Sequence, residues 1–397
     1  MATDRVWLEG EAVRQLEATA ADPDCVAAVG MPDLHPGPGI PIGAAFAFEH
    51  TLRPRLVGSD AGCGAIVVAL DKVKLTSATE RRVRAEFDRA PLENMDTDEV
   101  FRTVWRRGVR GLADLDLADA VSALVAKITA GDGDEPGPVA DHGEPPFAGF
   151  GAALGTVGGG NHFAEIGRVA EIVDRAAARA LGLRKGGLVI LCHSGSRGLG
   201  KALADKWGEQ VLDRDRSGDY LTELAGAIRF ARANRVLLAW RLLKALGAAR
   251  PSKLAAAFDV VHNSVQAECC GGRELWVHRK GCAPAHRDQL TAVLGSRGTP
   301  SWIMRGLGAD HGLASVAHGA GRKMQRAEAR DKLRTRYRRK QLARSPSGSV
   351  VICDDSKLLY EEHPDAYKPI EPVIDSLVRA RLADRVAAIE PLITVKK

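Results

Sequence analysis

The sequence predicts a mixed α+β fold whose strands end in glycine-rich loops, and three observations lead there. Short apolar or β-branched runs recur between polar or glycine boundaries, longer amphipathic runs separate them, and the chain is rich in glycine, with 42 in 397 residues. The strand-like runs are 65–70, 188–192, 258–262, 275–278, 302–304 and 350–353. Helical spacing is clearest over 78–89, 117–129, 201–211, 220–246, the basic stretch after Met324, and 372–389. The stretch 131–147 is dense in Gly, Pro and acids, which predicts a mobile surface loop or a linker. The loop reading is preferred, with one domain over 1–397, because the residues with chemical potential fall on both sides of it. No repeat of fixed period is present.

At 45% apolar and 27% charged, the composition is that of a globular chain. Its most apolar runs, 188–192 and 237–240, are far shorter than the roughly 20 residues that cross a bilayer, so no membrane partner is expected. The first residues carry acids early and no apolar run before a small-residue cleavage site, so the expected location is cytoplasmic. Seven cysteines without disulfide-scaffold spacing suit a reducing compartment. A net charge of +6 favours a polyanionic partner. Arg and Lys crowd into 322–344, a stretch without Gly or Pro, which reads as a basic helix: either a nucleic-acid contact or a solvated face.

The segment GSDAGCG sets Asp60 and Cys63 three residues apart in a tight turn before a strand. A carboxylate and a thiolate so close can chelate a cation if the glycines let the backbone bend, although an Asx-type turn beside a buried cysteine would look the same. His162 in GGGNHFAE, His193 in VILCHSGS and His262 in FDVVHNS each sit at a strand edge or glycine-rich turn. Any one could be an ordinary core histidine. Together the five residues offer one carboxylate, one thiolate and three imidazoles, enough for two cations if the thiolate bridges. They are scattered over about 200 residues, so spacing alone does not bring them together.

Gly195 to Ala202, GSRGLGKA, nearly fits the phosphate-cradling pattern G-x-x-x-x-G-K-[ST], but Ala202 stands where the magnesium-binding hydroxyl belongs. A P-loop ATPase is therefore disfavoured. The backbone N–H groups, with Ser194, Ser196 and Arg197, can still meet an anion.

In chain order, the segments MPDLHPGPGIPIGAAF, VGSDAGCG, GTVGGGNHFAEI, HSGSRGLG, HNS, HRKGCAPA, GSRGTPSW, AHGAGRKMQR and DAYKPI resemble the successive motifs of the RtcB RNA ligases, from Met31 to Ile370. The resemblance implies an RtcB-like fold around a central dinuclear site, with two manganese ions held by Asp60, Cys63, His162, His193 and His262 and the cysteine bridging. It implies His318 as the nucleotide-accepting histidine. Asn161 and Glu165 would contact the nucleotide, Ser296 and Ser301 would belong to a guanosine pocket, and Lys368 would lie at the guanine base. The implied reaction joins RNA ends bearing a 2′,3′-cyclic phosphate or 3′-phosphate to a 5′-hydroxyl, consuming GTP through a histidine–GMP intermediate. A neutral imidazole suits the attack on phosphorus. No K-x-D-G sequence of the lysine-adenylating ligases occurs.

The chain departs from the family pattern at the residue before Cys63, at Arg297 where a methionine is common, and at Ala317 where a serine is common. These departures resemble the paralogues associated with release-factor-H-like proteins. They imply repair of damaged ribosomal RNA, with tRNA repair as the alternative and a release-factor-H-like protein or an archease as a possible partner. Two other classes remain open at this point: a metal-dependent RNA phosphodiesterase, which would not need His318, and a non-catalytic RNA-binding paralogue.

Overall fold

Alternating burial decides the architecture. Along strand Gly64–Leu70 every residue is buried; Ile66 and Val68 face one core, Ala65 and Val67 another, so the sheet is covered on both sides. The computed structural model describes residues 5–115, 117–129, 143–345 and 347–397. The α+β expectation holds: the largest sheet orders its strands Leu290–Val293, Ser301–Gly306, Ala383–Val395, Phe163–Ile172, Leu188–Ser194, Gly64–Leu70 and Leu254–Val261. Those neighbours are antiparallel, and the short strand Val350–Ile352 pairs parallel to Ala383–Val395. A second, four-stranded antiparallel sheet orders Cys25–Pro36, Pro41–Phe48, Arg273–Lys280 and Asn263–Cys270.

The 28-residue helix Gly218–Ala245 lies in the first core, buried along most of its length with Phe230, Leu237 and Leu238. Buried on nearly all sides, it also brings polar residues into the core, and Asn234, Arg235 and Arg241 are hydrogen-bonded there. The amphipathic helix Ile370–Arg379 covers the other face through Ile370, Val373, Ile374 and Leu377. Among the described residues no helix is long and apolar enough to cross a membrane.

Several sequence expectations need correction. The helix expected over 372–389 ends at Arg379, and Ala383–Val395 is a long strand paired on both sides. Apolar residues at 382, 383, 386 and 387 fit helical spacing, but sheet pairing fixes the backbone there. The basic segment 322–344 is not one helix. Only Arg326–Arg336 is α-helical, Tyr337 is extended (φ −123°, ψ 134°), and a short 3-10 turn follows at Arg339–Ala343. The 131–147 segment lies outside the described residues apart from 143–147. The strands Gly64–Leu70 and Phe163–Ile172, from before and after it, belong to the same sheet.

Candidate metal centre and adjoining cavity

Sheet order gathers the five expected donors. His162 precedes strand Phe163–Ile172, His193 is near the end of Leu188–Ser194, Cys63 precedes Gly64–Leu70 and His262 follows Leu254–Val261. These four strands are consecutive neighbours and antiparallel, so two starts and two ends meet at one edge, with Phe163 opposite His193 and His193 opposite Ala65.

The donors form two groups that share one atom. Cys63, His193 and His262 make the first; Asp60, Cys63 and His162 make the second. Cys63 Sγ lies 3.3 Å from His193 Nε2 and 3.4 Å from His162 Nε2. His193 Nε2 is 3.2 Å from His262 Nε2, and His162 Nε2 is 2.8 Å from Asp60 Oδ2. Thiolate, imidazole and carboxylate at these separations fit two cations bridged by the sulfur. Burial, and then neighbouring imidazoles, depress His193 and His262 well below the ordinary histidine range, so both keep a lone pair. Burial disfavours ionised Asp60, but the adjacent His162 outweighs it and holds the carboxyl at about 2. Burial and then Asp60 push the Cys63 thiol up, a cost that a bound cation would offset.

Local chemistry holds the donors. Gly62 turns between Asp60 and Cys63 at φ +72°, which glycine adopts without strain. A Cβ on Gly195 would collide with the Asp60 carboxylate. The near-P-loop thus uses this glycine for close packing against the Asp60 loop. Arg235, fully buried on the long helix, donates Nη1 to Gly62 O and Ser194 O, both at 2.8 Å, and pairs with Asp259 at 2.6 and 2.7 Å. It thereby ties two donor-bearing loops to the core. Asn263 Nδ2 donates to Asp60 O (2.9 Å), and Gly281 N donates to Asn263 Oδ1 (2.8 Å).

Gly281 leads to His318. His318 Nδ1 donates to Gly281 O at 2.7 Å, which places the proton on Nδ1 and the lone pair on Nε2; Asp33 Oδ2 lies 2.7 Å away as a close carboxylate, with neither of its oxygens hydrogen-bonded among the described residues. The ring centroid is 4.7 Å from that of His262. Sequence reasoning gave Asp33 no role; its only signal was its place in MPDLHPG, the first segment carrying the family resemblance.

A cavity of about 550 Å³ opens beside this pair. Asn161, Glu165, His193, Ser296 and His318 line it; Ser301 does not, and its Oγ accepts a hydrogen bond from Gly295 N at 3.0 Å. Lys368 sits beside Asp33. Its Nζ donates to the carbonyls of Pro32 (3.1 Å) and Leu34 (2.7 Å), on either side of Asp33, and it is not among the lining residues. The lysine on the cavity wall is Lys396, which donates to His162 O at 2.9 Å. Nothing in the local pattern at the chain's end signalled it. Burial lowers Lys396 to about 8 against the pull of Glu362. Burial raises Glu165 to about 7, although Thr394 donates to its carboxylate at 2.6 Å.

Arg322 also differs from the expectation. It is half-buried in the cavity wall, with Nη1 3.0 Å from Glu362 Oε1 and Tyr367 Oη, rather than displayed on a basic helix. Arg334, Arg336, Arg338 and Arg339 are exposed.

A family model described as tRNA-splicing ligase RtcB matches residues 15–217 and 210–397. An Escherichia coli protein named RNA-splicing ligase RtcB2 is 37% identical over 100% of this chain and 94% of its own length. A tRNA-splicing ligase RtcB of Archaeoglobus fulgidus is 31% identical, covering 97% of this chain and 91% of the relative. An RNA-splicing ligase RtcB of Mycobacterium tuberculosis is 30% identical, covering 93% and 96%.

Proposed function

Because the chain belongs to the RtcB family, we propose that it is a GTP- and manganese-dependent RNA ligase, joining 3′-phosphate or 2′,3′-cyclic phosphate ends to 5′-hydroxyl ends. The observation that carries this reading is the Asp33–His318 pair at the wall of a nucleotide-sized cavity, beside two donor groups that share Cys63. Asp60, Cys63, His162, His193 and His262 would hold two manganese ions. Such cations neutralise phosphate charge and lower the pKa of a bound water or hydroxyl.

His318 Nε2 attacks the α-phosphorus of GTP; a P–N bond forms and pyrophosphate leaves. Asp33 and Gly281 O keep the proton on Nδ1 and stabilise the imidazolium character that develops as the bond forms. The GMP then passes to the RNA 3′-phosphate, breaking the P–N bond and forming a phosphoanhydride. The 5′-hydroxyl attacks the RNA phosphorus, GMP leaves, and a 3′–5′ phosphodiester remains; a cyclic phosphate must first be opened by water. Asn161, Glu165, Ser296 and Lys396 line the nucleotide's side of the reaction. The exposed arginines at 334, 336, 338 and 339 hold RNA phosphates outside the cavity. Identity of 37% to the RtcB2 relative, against 31% and 30% to the others above, favours the paralogue reading; the proposed setting, RNA repair in the cytoplasm, rests on the sequence alone.

Incubation with labelled GTP and manganese tests the reading. An acid-labile protein–GMP adduct and joined RNA are expected from the natural chain; His318→Ala should form neither while keeping its metal content. Normal joining by that variant would sink the proposal. Opening of cyclic phosphates without joining would return the chain to the phosphodiesterase class.

A further inference from the structure

The strands that carry the donors have a second end, and its turns are strongly basic. Gly64–Leu70 finishes there and its neighbours Leu188–Ser194 and Leu254–Val261 begin there, one strand of 7 residues, or roughly 23 Å, away from Cys63. The turns 71–75, 182–187 and 246–253 hold six cations, Lys72, Lys74, Arg184, Lys185, Arg250 and Lys253, against one acid, Asp71. All six are exposed except the half-buried Lys253. The turns meet one another: Asp71 N donates to Lys253 O at 2.9 Å, Lys253 Nζ donates to Lys72 O at 3.4 Å, and Arg184 lies 3.7 Å from Asp71. Lys72 holds φ +50°, so its turn keeps a cation at a position that glycine would fill with less strain.

Helix Thr79–Phe87 joins this patch to the basic segment after His318. Its Arg82 reaches the 246–253 turn, with Nη1 4.0 Å from the place a Cβ on Gly247 would take. Its Arg84 meets Asp354 at 3.5 Å, and Arg339 donates to Asp354 O at 3.2 Å. Acids along this line are mostly matched already. Asp354 and Asp88 pair with Lys397 at 3.0 and 2.7 Å, and Glu86 pairs with Lys244 at 2.6 Å; on this helix only Glu80 makes no ion pair among the described residues. The surplus along the track is positive.

Charge spread over several loops, with no enclosing cavity, suits a partner whose own charge repeats. A nucleic-acid backbone presents one phosphate per about 3.4 Å of each strand, whereas a free nucleotide would engage only one or two of these cations. We propose that the track from Arg339 along helix Thr79–Phe87 to the far turns is a second RNA-binding surface, which holds the body of a folded RNA while its broken end occupies the cavity. This rests on the reading of the chain as an RNA ligase.

Binding of a folded RNA of tRNA size, measured at several salt concentrations without GTP, tests the proposal. The combined variant Lys72→Gln, Lys74→Gln, Lys185→Gln and Arg250→Gln should bind about tenfold more weakly at low salt, with a logarithmic salt slope flatter by up to about 0.9 for each duplex phosphate no longer neutralised. The charge-keeping variant Lys72→Arg, Lys74→Arg and Lys185→Arg should retain both affinity and slope. In joining, the Gln variant should show a raised KM for the same RNA at unchanged kcat, while a trinucleotide ending in a 3′-phosphate, too short to reach the far turns, should serve it as well as it serves the natural chain. Unchanged affinity and slope in the Gln variant would overturn the proposal. Equal loss in the charge-keeping variant would overturn it as well, since the positions would then be structural. So would loss of binding to phosphatidylglycerol vesicles with RNA binding intact, which would make the surface a membrane contact. All four positions are exposed, so the Gln variant should fold; if circular dichroism shows otherwise, the pair Lys72→Gln and Lys185→Gln carries the test. Because binding is measured without GTP, the GMP adduct of the natural chain decides the ligase reading separately.

Discussion

The donor cluster and the basic segment after His318 stand at opposite ends of constraint. Cys63, His193 and His262 are buried at the ends of paired strands, and Arg235 and Asn263 fix the loops that carry the donors. Arg334, Arg336, Arg338 and Arg339 are exposed at a helix end and a 3-10 turn, Arg334 over the Tyr360 ring and Arg339 donating to Asp354 O. Arg322 shows that residue type is not the cause. It opens the same basic run, yet with Glu362, Tyr367 and the carbonyl of Glu361 around it, it is as fixed as the donors. Burial with matched partners makes a side chain all-or-none in its effect, while solvent exposure makes it graded and sensitive to salt.

The sharpest way to break this comparison is Cys63→Ala. Because its sulfur belongs to both donor groups, its loss should remove both cations and abolish adduct formation, with the circular dichroism spectrum unchanged. Elemental analysis showing two metal ions per chain in the folded variant would reduce the Asp60–Cys63 loop to a turn.

Asp33→Asn probes the next level of constraint. It keeps shape but removes the carboxylate from His318 Nδ1, so the initial rate of adduct formation should fall by about 10- to 100-fold, as for other carboxylates that orient a working imidazole. RNA affinity should not change. A normal rate would show that the Gly281 carbonyl suffices to orient the ring.

For the exposed arginines the expected change is graded. Replacing Arg334, Arg336, Arg338 and Arg339 with Gln should weaken RNA binding and flatten its logarithmic salt slope, by up to about 0.7 for each single-strand phosphate that is no longer neutralised. Adduct formation from GTP alone should persist. An unchanged slope would make this face merely solvated, and failure to form the adduct would show that it supports the cavity.

The smallest effect concerns Glu165 in the metal-free protein. Its folded-state value of about 7 lies above the ordinary 4.5, so the folded chain holds this proton more tightly than the unfolded one. Its contribution to stability is full below pH 4.5 and declines as pH rises to about 7. Thermal unfolding across that window should show the decline, and Glu165→Gln should flatten it. An identical pH profile in the variant would mean that the carboxyl is ionised in the fold.

Much of the fold class was legible from residue pattern alone. Strands at 65–70 and 188–192 and the helix over 220–246 follow from runs whose length and flanking residues admit few alternatives, and all three recur in the structure with small shifts of boundary. The donor types and His318 were named through segment resemblance, most of them in short glycine-bearing motifs and His262 in HNS. Other features depended on tertiary structure. Whether 383–389 becomes helix or strand is decided by partners at 163–172 and 301–306, remote in sequence. Asp33 meets His318, Lys396 enters the cavity while Lys368 turns to backbone carbonyls, and Arg235 pins two donor loops, all through the meeting of distant segments. Local sequence sets backbone preference and the available chemistry; the burial that removes water and the neighbours that replace it exist only once the chain has closed on itself.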